Sequence, residues 1–369
     1  MNFEQYNNTI IQGNVLDVLR TLPDNFVDMV ITSPPYWGLR DYGLPDTIFG
    51  GDFNCAHDWN EHVKHPIGGM GSKGANVGAN KNDFANMRDH DVVSNFCSKC
   101  GAWKGQLGQE PDFHDYINHL VEIFNECNRT IKESGSVWVN LGDSYAGSNQ
   151  GAGTKNPTPK QKSNRGTNYM STNDHKSLLS NIDIKNKSLV GIPDRFKIAM
   201  IDNGLICRNE IVWHKPNQMP SSVKDRFTVD FEKFYFFTKN KKYYFEQQLE
   251  PYISKENHDL RDKSSEKYDG TKLFSDGGRD YYSQGGRNKR CVWAINTKPL
   301  KEAHFAVYPE ELIEIPIKAC CPENGLVLDI FFGSGTSGVV ANKLNRNYLG
   351  IELNPEYIEI AKNRISKFT

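Results

Sequence analysis

The sequence predicts an α/β fold, a mostly parallel sheet interrupted by polar inserts. Two observations carry this. Both ends of the 369-residue chain alternate short apolar runs with stretches of helical periodicity, the rhythm of strands joined by crossover helices. The middle instead holds long Gly-, Asn-, Ser- and Lys-rich stretches without periodicity. A chain of this length, 37% apolar and 24% charged, can bury a sizeable core as one large domain or two.

The opening "NTIIQGNVLDVLRTLPDNFVDMVITSPPY" reads as a short strand, a Gly turn, an amphipathic helix from about Val15 to Leu22, and a strand from Val27 to Thr32. Gly43 to Trp103 is an irregular insert. Tyr116, Leu120, Ile123, Phe124 and Ile131 fall near helical spacing, which predicts a helix closed by Gly135 and followed by the strand "SVWVNLGD". After a loop-like segment, a helix is expected over about Pro193 to Asp202. "LICRNEIVWHKP" and "FEKFYFFTKNKKYYF" then predict an antiparallel hairpin at one sheet edge. The C-terminal part returns to helix (Pro309 to Ala319), strand (Leu326 to Phe331), Gly turn, helix (Thr336 to Leu344), strand (Asn347 to Ile351) and helix (Pro355 to Lys367). No internal repeat is visible. The expected division is a core of residues 1–50, 106–247 and 293–369, with inserts at 51–105 and 248–292.

Net charge is −1, so any nucleic-acid partner must meet local positive charge. No apolar run reaches the ~18–20 residues of a bilayer span. "MNFEQYNNTI" has no signal-peptide pattern, so a cytoplasmic protein without membrane contact is expected. Eight cysteines in such a chain are not a disulfide framework. Cys127, Cys207, Cys291, Cys320 and Cys321 read as buried or incidental thiols.

"VLDIFFGSGTSGVVANKLNRNYLGIELNPEYIEIAKNRI" joins a strand, a Gly-x-Gly turn and a helix, then a strand ending in Glu352. Gly333 and Gly335 let backbone approach a ligand, and the helix N-terminus beyond them offers free N–H groups. Glu352 is placed to accept from ribose hydroxyls, and Asp329 to hold a ligand's amino group. A carboxylate at the turn disfavours a pyrophosphate and favours a ligand with a cationic amino-acid part, such as S-adenosylmethionine. A plain strand-to-helix turn would also explain the glycines, but not the two acids in register with them.

Ser33, Pro34, Pro35 and Tyr36 form a rigid turn directly behind a buried strand. Such a turn suits methylation of a nucleobase amino group, a poor nucleophile whose lone pair is delocalised into the ring. The Ser33 hydroxyl and the Pro34 carbonyl can accept the amino hydrogens and favour a tetrahedral nitrogen. The prolines hold that carbonyl with little entropy left to lose, and Tyr36 offers a face to an extruded base. Alone, Pro-Pro-Tyr is more commonly a core turn.

Together, "TSPPYW" and "DIFFGSGTSG" resemble the site-specific DNA amino-methyltransferases with permuted motif order, the β group, over nearly the whole chain. "SVWVNLGDSY", "RNEIVWHKPNQMP" with "FEKFYFFTK", "HFAVYPEELIEIPIKACCPENGLVLD" and "GIELNPEYIEIAKNRI" fall in that family's order. The resemblance implies a Rossmann-like S-adenosylmethionine-dependent methyltransferase sheet, circularly permuted, acting on double-stranded DNA by base flipping. It implies catalytic Ser33, Pro34, Pro35 and Tyr36. It also implies a donor site of Asp329, Phe331, Phe332, Gly333, Ser334, Gly335, Thr336 and Glu352, with His304 and Pro309 from the segment leading into the turn. Many members carry Pro-Phe after the Asp, where this chain has Ile330-Phe331-Phe332. Ser at the first position of the tetrapeptide, flanked by Thr and Trp, is more typical of cytosine-N4 enzymes and Asp of adenine-N6 enzymes. The rule leaks, so cytosine-N4 is expected and adenine-N6 stays open. So do a second copy of the chain and a cognate restriction endonuclease as further partners.

"CAHDW" and "CSKC" supply Cys55, His57, Cys97 and Cys100, the ligand set of a closed structural zinc site. Four protein ligands leave no open position for catalysis, and His62 and His65 compete with His57. A subset of the family carries the same pairing. Lys155, Lys160 and Arg165 in one polar stretch, and Arg279, Arg287 and Arg290 in the other, are candidate DNA contacts. Residues 248–292 are a candidate target-recognition insert. Methylation of RNA or of a glutamine side chain is disfavoured by the motif order. A non-catalytic zinc-stabilised DNA-binding module would bind no methyl donor.

Overall fold

The structure, a computed structural model, describes residues 3–39, 43–59, 95–146, 184–251, 286–298 and 307–368. Its elements in chain order are β1 (Thr9–Gln12), α1 (Val15–Thr21), β2 (Val27–Thr32), β3 (Thr47–Phe49), β4 (Trp103–Gly105), α2 (Phe113–Thr130), β5 (Ile131–Leu141) and α3 (Ile192–Asp202). They continue as β6 (Ile206–His214), β7 (Phe231–Thr238), β8 (Leu249–Glu250), β9 (Arg287–Asn288), β10 (Val292–Ala294), α4 (Glu310–Cys320), β11 (Leu326–Asp329), α5 (Thr336–Lys343), β12 (Asn347–Glu352) and α6 (Pro355–Ile365). The chain divides into two compact units, one of Met1–Tyr36, Ile123–Tyr145 and Ser188–Thr369, the other of Trp37–Glu122 and Ala146–Lys187.

In the first unit, eight described strands form one sheet in the order β1-β12-β11-β2-β5-β7-β6-β10. Every pairing is parallel except those of β7, which runs against both β5 and β6. The fold is thus the expected α/β class, with a parallel-dominated sheet. Strand alternation divides the core between the two faces of the sheet. Met29, Ile31, Trp138, Phe234, Phe236 and Val327 pack with Leu312, Ile317, Val339 and Ala361 from α4, α5 and α6. The opposite face carries Tyr235 and Phe237, against which Phe196 of α3 packs, itself 5.3 Å from Phe124 of α2. No helix among the described residues is long and apolar enough to cross a membrane.

Three expectations need correction. The helix predicted to run to Gly135 stops at Thr130, and β5 starts at Ile131. The approach to β2 causes this: the N–H groups of Asn25 and Phe26 donate to the carbonyls of Arg129 and Thr130, so the helix end is capped by chain rather than by glycine. Gly135 instead lies where the β2–β5 register shifts between Val27 and Met29. A Cβ there would come within 3.0 Å of the Asp28 carbonyl oxygen. The β6–β7 hairpin is not at the edge, because β7 lies inside the sheet and β10 follows β6. Its all-aromatic run Phe234 to Phe237 is correspondingly buried. Finally, β11 ends at Asp329 rather than Phe331, since the Asp329 carboxylate accepts the Phe331 N–H and turns the chain.

Within the second unit β3 and β4 pair antiparallel, and the rings of Phe49, Trp103 and His119 cluster in mutual contact, with centroids 5.1 to 6.0 Å apart. His119 Nδ1 lies 3.0 Å from the buried Glu110 carboxylate, and the Glu110 carbonyl accepts Trp37 Nε1 at 2.9 Å.

Candidate functional site

Adjacent parallel strands β11 and β2 send their connections opposite ways, β11 through α5 to β12 and β2 through α2 to β5. That makes the gap beyond their carboxyl ends a topological switch point, where open α/β sheets place ligands. The Ser33–Tyr36 turn leaves β2 there and the glycine turn leaves β11. A buried hydrogen bond from Thr32 Oγ1 to Asp329 Oδ1, 2.7 Å long and spanning 297 residues, fastens the two together.

Asp329 is 2% exposed, and its two oxygens accept from four groups: Thr32 Oγ1, Phe331 N, Ser337 Oγ and Tyr308 Oη. Burial raises its pKa against the pull of the Ser337 and Thr32 hydroxyls. In this state Asp329 is the knot that holds β2, the glycine turn and the start of α5 in one geometry. Glu352, at the end of β12, accepts Gly333 N at 2.7 Å on one oxygen and Asn354 N at 2.7 Å on the other. Burial raises it as well. Its oxygens keep lone pairs for hydroxyl donors.

The turn glycines differ in what they do. A Cβ on Gly335 would meet Ala361 Cβ at 2.7 Å, and one on Gly350 would meet the Phe332 ring at 2.4 Å, so both admit close packing behind the turn. A Cβ on Gly333 would meet nothing nearer than the Phe331 carbonyl at 3.9 Å, and its φ of 53° is left-handed. Gly333 therefore presents bare backbone to open space. Ser334 and Thr336 face the other way, both accepting from Arg364 Nη1, at 2.9 and 3.1 Å. Phe332 is buried against Tyr348, while Phe331 is partly exposed. Pro309 is the buried N-cap of α4, and His304 lies outside the described residues.

Around the Ser33–Tyr36 turn the hydrogen bonds run in one direction. Ser33 Oγ donates to Tyr36 Oη at 3.3 Å, and Tyr36 Oη donates to Glu232 Oε2 at 2.8 Å with Asn140 Oδ1 at 3.0 Å. Lys215 Nζ donates to the other Glu232 oxygen and sits 4.3 Å from the Trp213 ring centroid. The Tyr36 ring lies over Gly142, where a Cβ would come within 2.7 Å of Cε2. With its proton committed to Tyr36, Ser33 Oγ keeps its lone pairs for an incoming donor. Asp143, the acid just beyond β5, accepts the N–H groups of Gly191 and Ile192 and so caps α3.

The ligand atoms of Cys55, His57, Cys97 and Cys100 all lie within 4.8 Å of one another in the second unit. Cys100 Sγ is 3.4 Å from His57 Nδ1, and the Asp58 N–H points to Cys97 Sγ at 3.3 Å. Gly101, φ 73°, turns its N–H back to the Cys97 carbonyl. Against burial, backbone donors at Asp58, Cys100 and Lys99 and the His57 side chain bring the Cys97 thiol down to about 6. Partial burial and the neighbouring thiols push Cys55 up to about 11. Two thiols, a third of thiolate character and an imidazole at these separations have the donor chemistry of a tetrahedral zinc site. His62 and His65 lie outside the described residues.

Of the basic candidates, Arg287 and Arg290 share one carboxylate, Glu250 Oε1, at 3.0 and 2.7 Å. Lys155, Lys160, Arg165 and Arg279 lie outside the described residues. Sequence reasoning missed Tyr308, Asn140, Glu232 and Arg364. No spacing marks them, since each reaches its partner only through the tertiary fold.

The N6_N4_Mtase family model, described as DNA methylase, matches residues 27–363. The chain is 34% identical over 360 residues to the Type II methyltransferase M.Cfr9I of Citrobacter freundii, covering 97% of this chain and 87% of that one. It is 31% identical over 356 residues to the Type II methyltransferase M.SmaI of Serratia marcescens, covering 96% and 90%. Among solved structures it is similar in fold to PvuII DNA methyltransferase (cytosine-N4-specific), with TM-score 0.53 and 16% identity over 97% of this chain and 86% of that chain.

Proposed function

We propose that this chain, which belongs to the N6/N4 DNA methylase family, methylates the exocyclic N4 of cytosine in duplex DNA after base flipping. Within the coarser, established frame it is an S-adenosylmethionine-dependent DNA methyltransferase. The observation that supports a single methyl-transfer site is the Thr32–Asp329 bond, which ties the Ser33–Tyr36 turn to the glycine turn at the switch point; it does not bear on which base is methylated.

The residues fit the donor. Gly333 supplies close-approach backbone and Glu352 oxygens for ribose hydroxyls, while Asp329, with Tyr308 and Ser337, fixes where the turn sits. Bound there, S-adenosylmethionine supplies an electrophilic methyl group. The chain's own work is alignment. Ser33 Oγ and the Pro34 carbonyl accept the two amino hydrogens of the target base, drawing its nitrogen toward tetrahedral geometry. Tyr36, with its hydroxyl held by Glu232, presents a fixed ring edge and face to the base. Holding the amino nitrogen in line is worth several orders of magnitude in rate, and once methylated that nitrogen loses one of its two protons to solvent.

Ser33 at the first position of the tetrapeptide supports cytosine over adenine. Cys55, His57, Cys97 and Cys100 would hold a structural zinc ion, residues 248–292 would form a target-recognition insert beside the core of residues 1–50, 106–247 and 293–369, and a cognate restriction endonuclease would share the recognition site. The test is transfer of radiolabelled methyl from S-adenosylmethionine to duplex DNA, followed by nucleoside mass spectrometry. N4-methylcytosine upholds the proposal, N6-methyladenine moves it to the adenine reading, and no methylated nucleoside, with no donor binding by calorimetry, overturns it.

A further inference from the structure

The segment 215–230, between β6 and β7, is hydrogen-bonded at its roots and exposes large apolar side chains beyond them. At the roots, Lys215 N donates to the Asp230 carbonyl at 2.7 Å, and Lys215 Nζ meets the Glu232 carboxylate that holds Tyr36. Asn217 exchanges hydrogen bonds with Thr297, donating to its carbonyl and accepting its N–H, each at 2.9 Å. The Arg226 guanidinium lies 3.4 Å from the centroid of the Tyr145 ring, just past β5. Ser221 N donates to Thr228 Oγ1 at 3.2 Å, and Pro216 and Pro220 restrict the backbone further. Yet Phe227 is 96% exposed and Met219 81% exposed. A chain that spends this many bonds on ordering a loop gains nothing for its own core from these two side chains. Beside Phe227, Lys224 and Arg226 flank Asp225, leaving one net positive charge on that stretch.

We infer that this loop is a wedge for duplex DNA, with Phe227, and Met219 behind it, entering the base stack to fill the gap left by the extruded base. The inference rests on the base-flipping reading above. It favours DNA over a second protein chain for two reasons. One root, Lys215, pairs with the carboxylate that positions Tyr36, and the other, Asp230, lies two residues before that carboxylate on the way into β7, so the loop springs from beside the Ser33–Tyr36 turn. Exposed apolar side chains beside a net-positive stretch match stacked bases between phosphates. By occupying the vacated space the wedge lowers the cost of extrusion, which is a few kcal/mol for a paired base and least for an unpaired one.

That difference supplies the test. Wild type and Phe227→Ala are compared on two duplexes carrying the methylated site: one fully paired, one abasic opposite the target base. On the paired duplex Phe227→Ala is expected to lose about tenfold to a hundredfold in kcat/KM. On the abasic duplex it should fall within about threefold of wild type. Donor affinity and Tm should not change, Met219→Ala should show a smaller version of the pattern, and Phe227→Leu should recover most of the loss. Equal activity of the variant and wild type on both duplexes overturns the wedge alone. So does an equal loss on both, including one accompanied by a dimer turning to monomer in sedimentation, which would assign the tip to contact between copies. Failure of wild type on both duplexes overturns the wedge together with the methyltransferase reading.

Discussion

The carboxyl edge of the large sheet places its polar groups by burying apolar ones, whereas the β3–β4 ribbon has little to bury. Behind Ser33 and Asp329 stand Met29, Ile31, Val327 and Leu328, all at 0% exposure. The ribbon has strands of three residues each; Ile48 of β3 is 43% exposed and Phe53 just beyond it 76%. A two-stranded ribbon that short is marginal alone. It packs through the Phe49–His119–Trp103 ring cluster, and the Cys/His cluster lies in the same unit. One region takes its geometry from a core; if zinc is held at the Cys/His cluster, the other takes much of its own from a staple, so perturbations should separate them.

The largest separation should come from removing the zinc proposed at Cys55, His57, Cys97 and Cys100. Structural zinc contributes on the order of 10 kcal/mol to folding small sites. Cys100→Ala, or a strong chelator, should therefore abolish amide-exchange protection over Thr47–Phe49 and Trp103–Gly105 while β2, β5 and β11 stay protected. Full protection of the ribbon in chelator would remove the metal from the account. Next is Tyr36→Ala, expected to cut kcat by about two to three orders of magnitude through lost alignment, with donor affinity nearly unchanged in calorimetry. Equal loss of both would place Tyr36 in the donor site instead.

Gly350→Ala should strike the core behind the glycine turn, because its Cβ would fall 2.4 Å from Phe332. Overpacking of this kind costs about 1–3 kcal/mol; Tm should fall while zinc stoichiometry holds. A lost metal in this variant would show the two regions to be coupled. Glu232→Gln keeps an acceptor for Tyr36 but weakens the pair with Lys215. About a tenfold fall in kcat is expected, with KM for DNA little changed, on the scale of one charge-assisted hydrogen bond. No change would make Glu232 a structural partner only.

The smallest effect is in pH. Burial raises the Glu110 carboxyl despite the His119 side chain and the Gly108 N–H. A raised carboxyl favours the fold below its unfolded pKa, and that contribution is lost as pH rises through the folded value. Glu110→Gln should flatten the corresponding decline in ribbon protection with rising pH; an unchanged slope would assign the decline to other groups.

Much of this was legible beforehand. The opening strand–helix–strand, the last three helices and the glycine turn follow from periodicity and from residues such as Gly333 whose φ is in their own chemistry. Cys97-Ser98-Lys99-Cys100 reads as a metal knuckle for the same local reason. The end of α2 was not legible, since Asn25 and Phe26, more than a hundred residues earlier in the chain, set it through their N–H groups. Nor was the place of β7, because pairing partners are chosen by whole faces rather than by hairpin proximity.

By itself the sequence determined which short stretches could carry chemistry: a proline-stiffened Ser-Pro-Pro-Tyr turn, a glycine turn between two acids, and paired Cys/His motifs. Local backbone preference and side-chain type suffice for that, because both act within a few residues. Only the tertiary structure decided that Thr32 meets Asp329, that Tyr36 hangs on Glu232, and that Tyr308 and Arg364 brace the turn. Those contacts depend on strand order and register, which are set by burying both faces of the sheet at once, and no short window of the chain contains that condition.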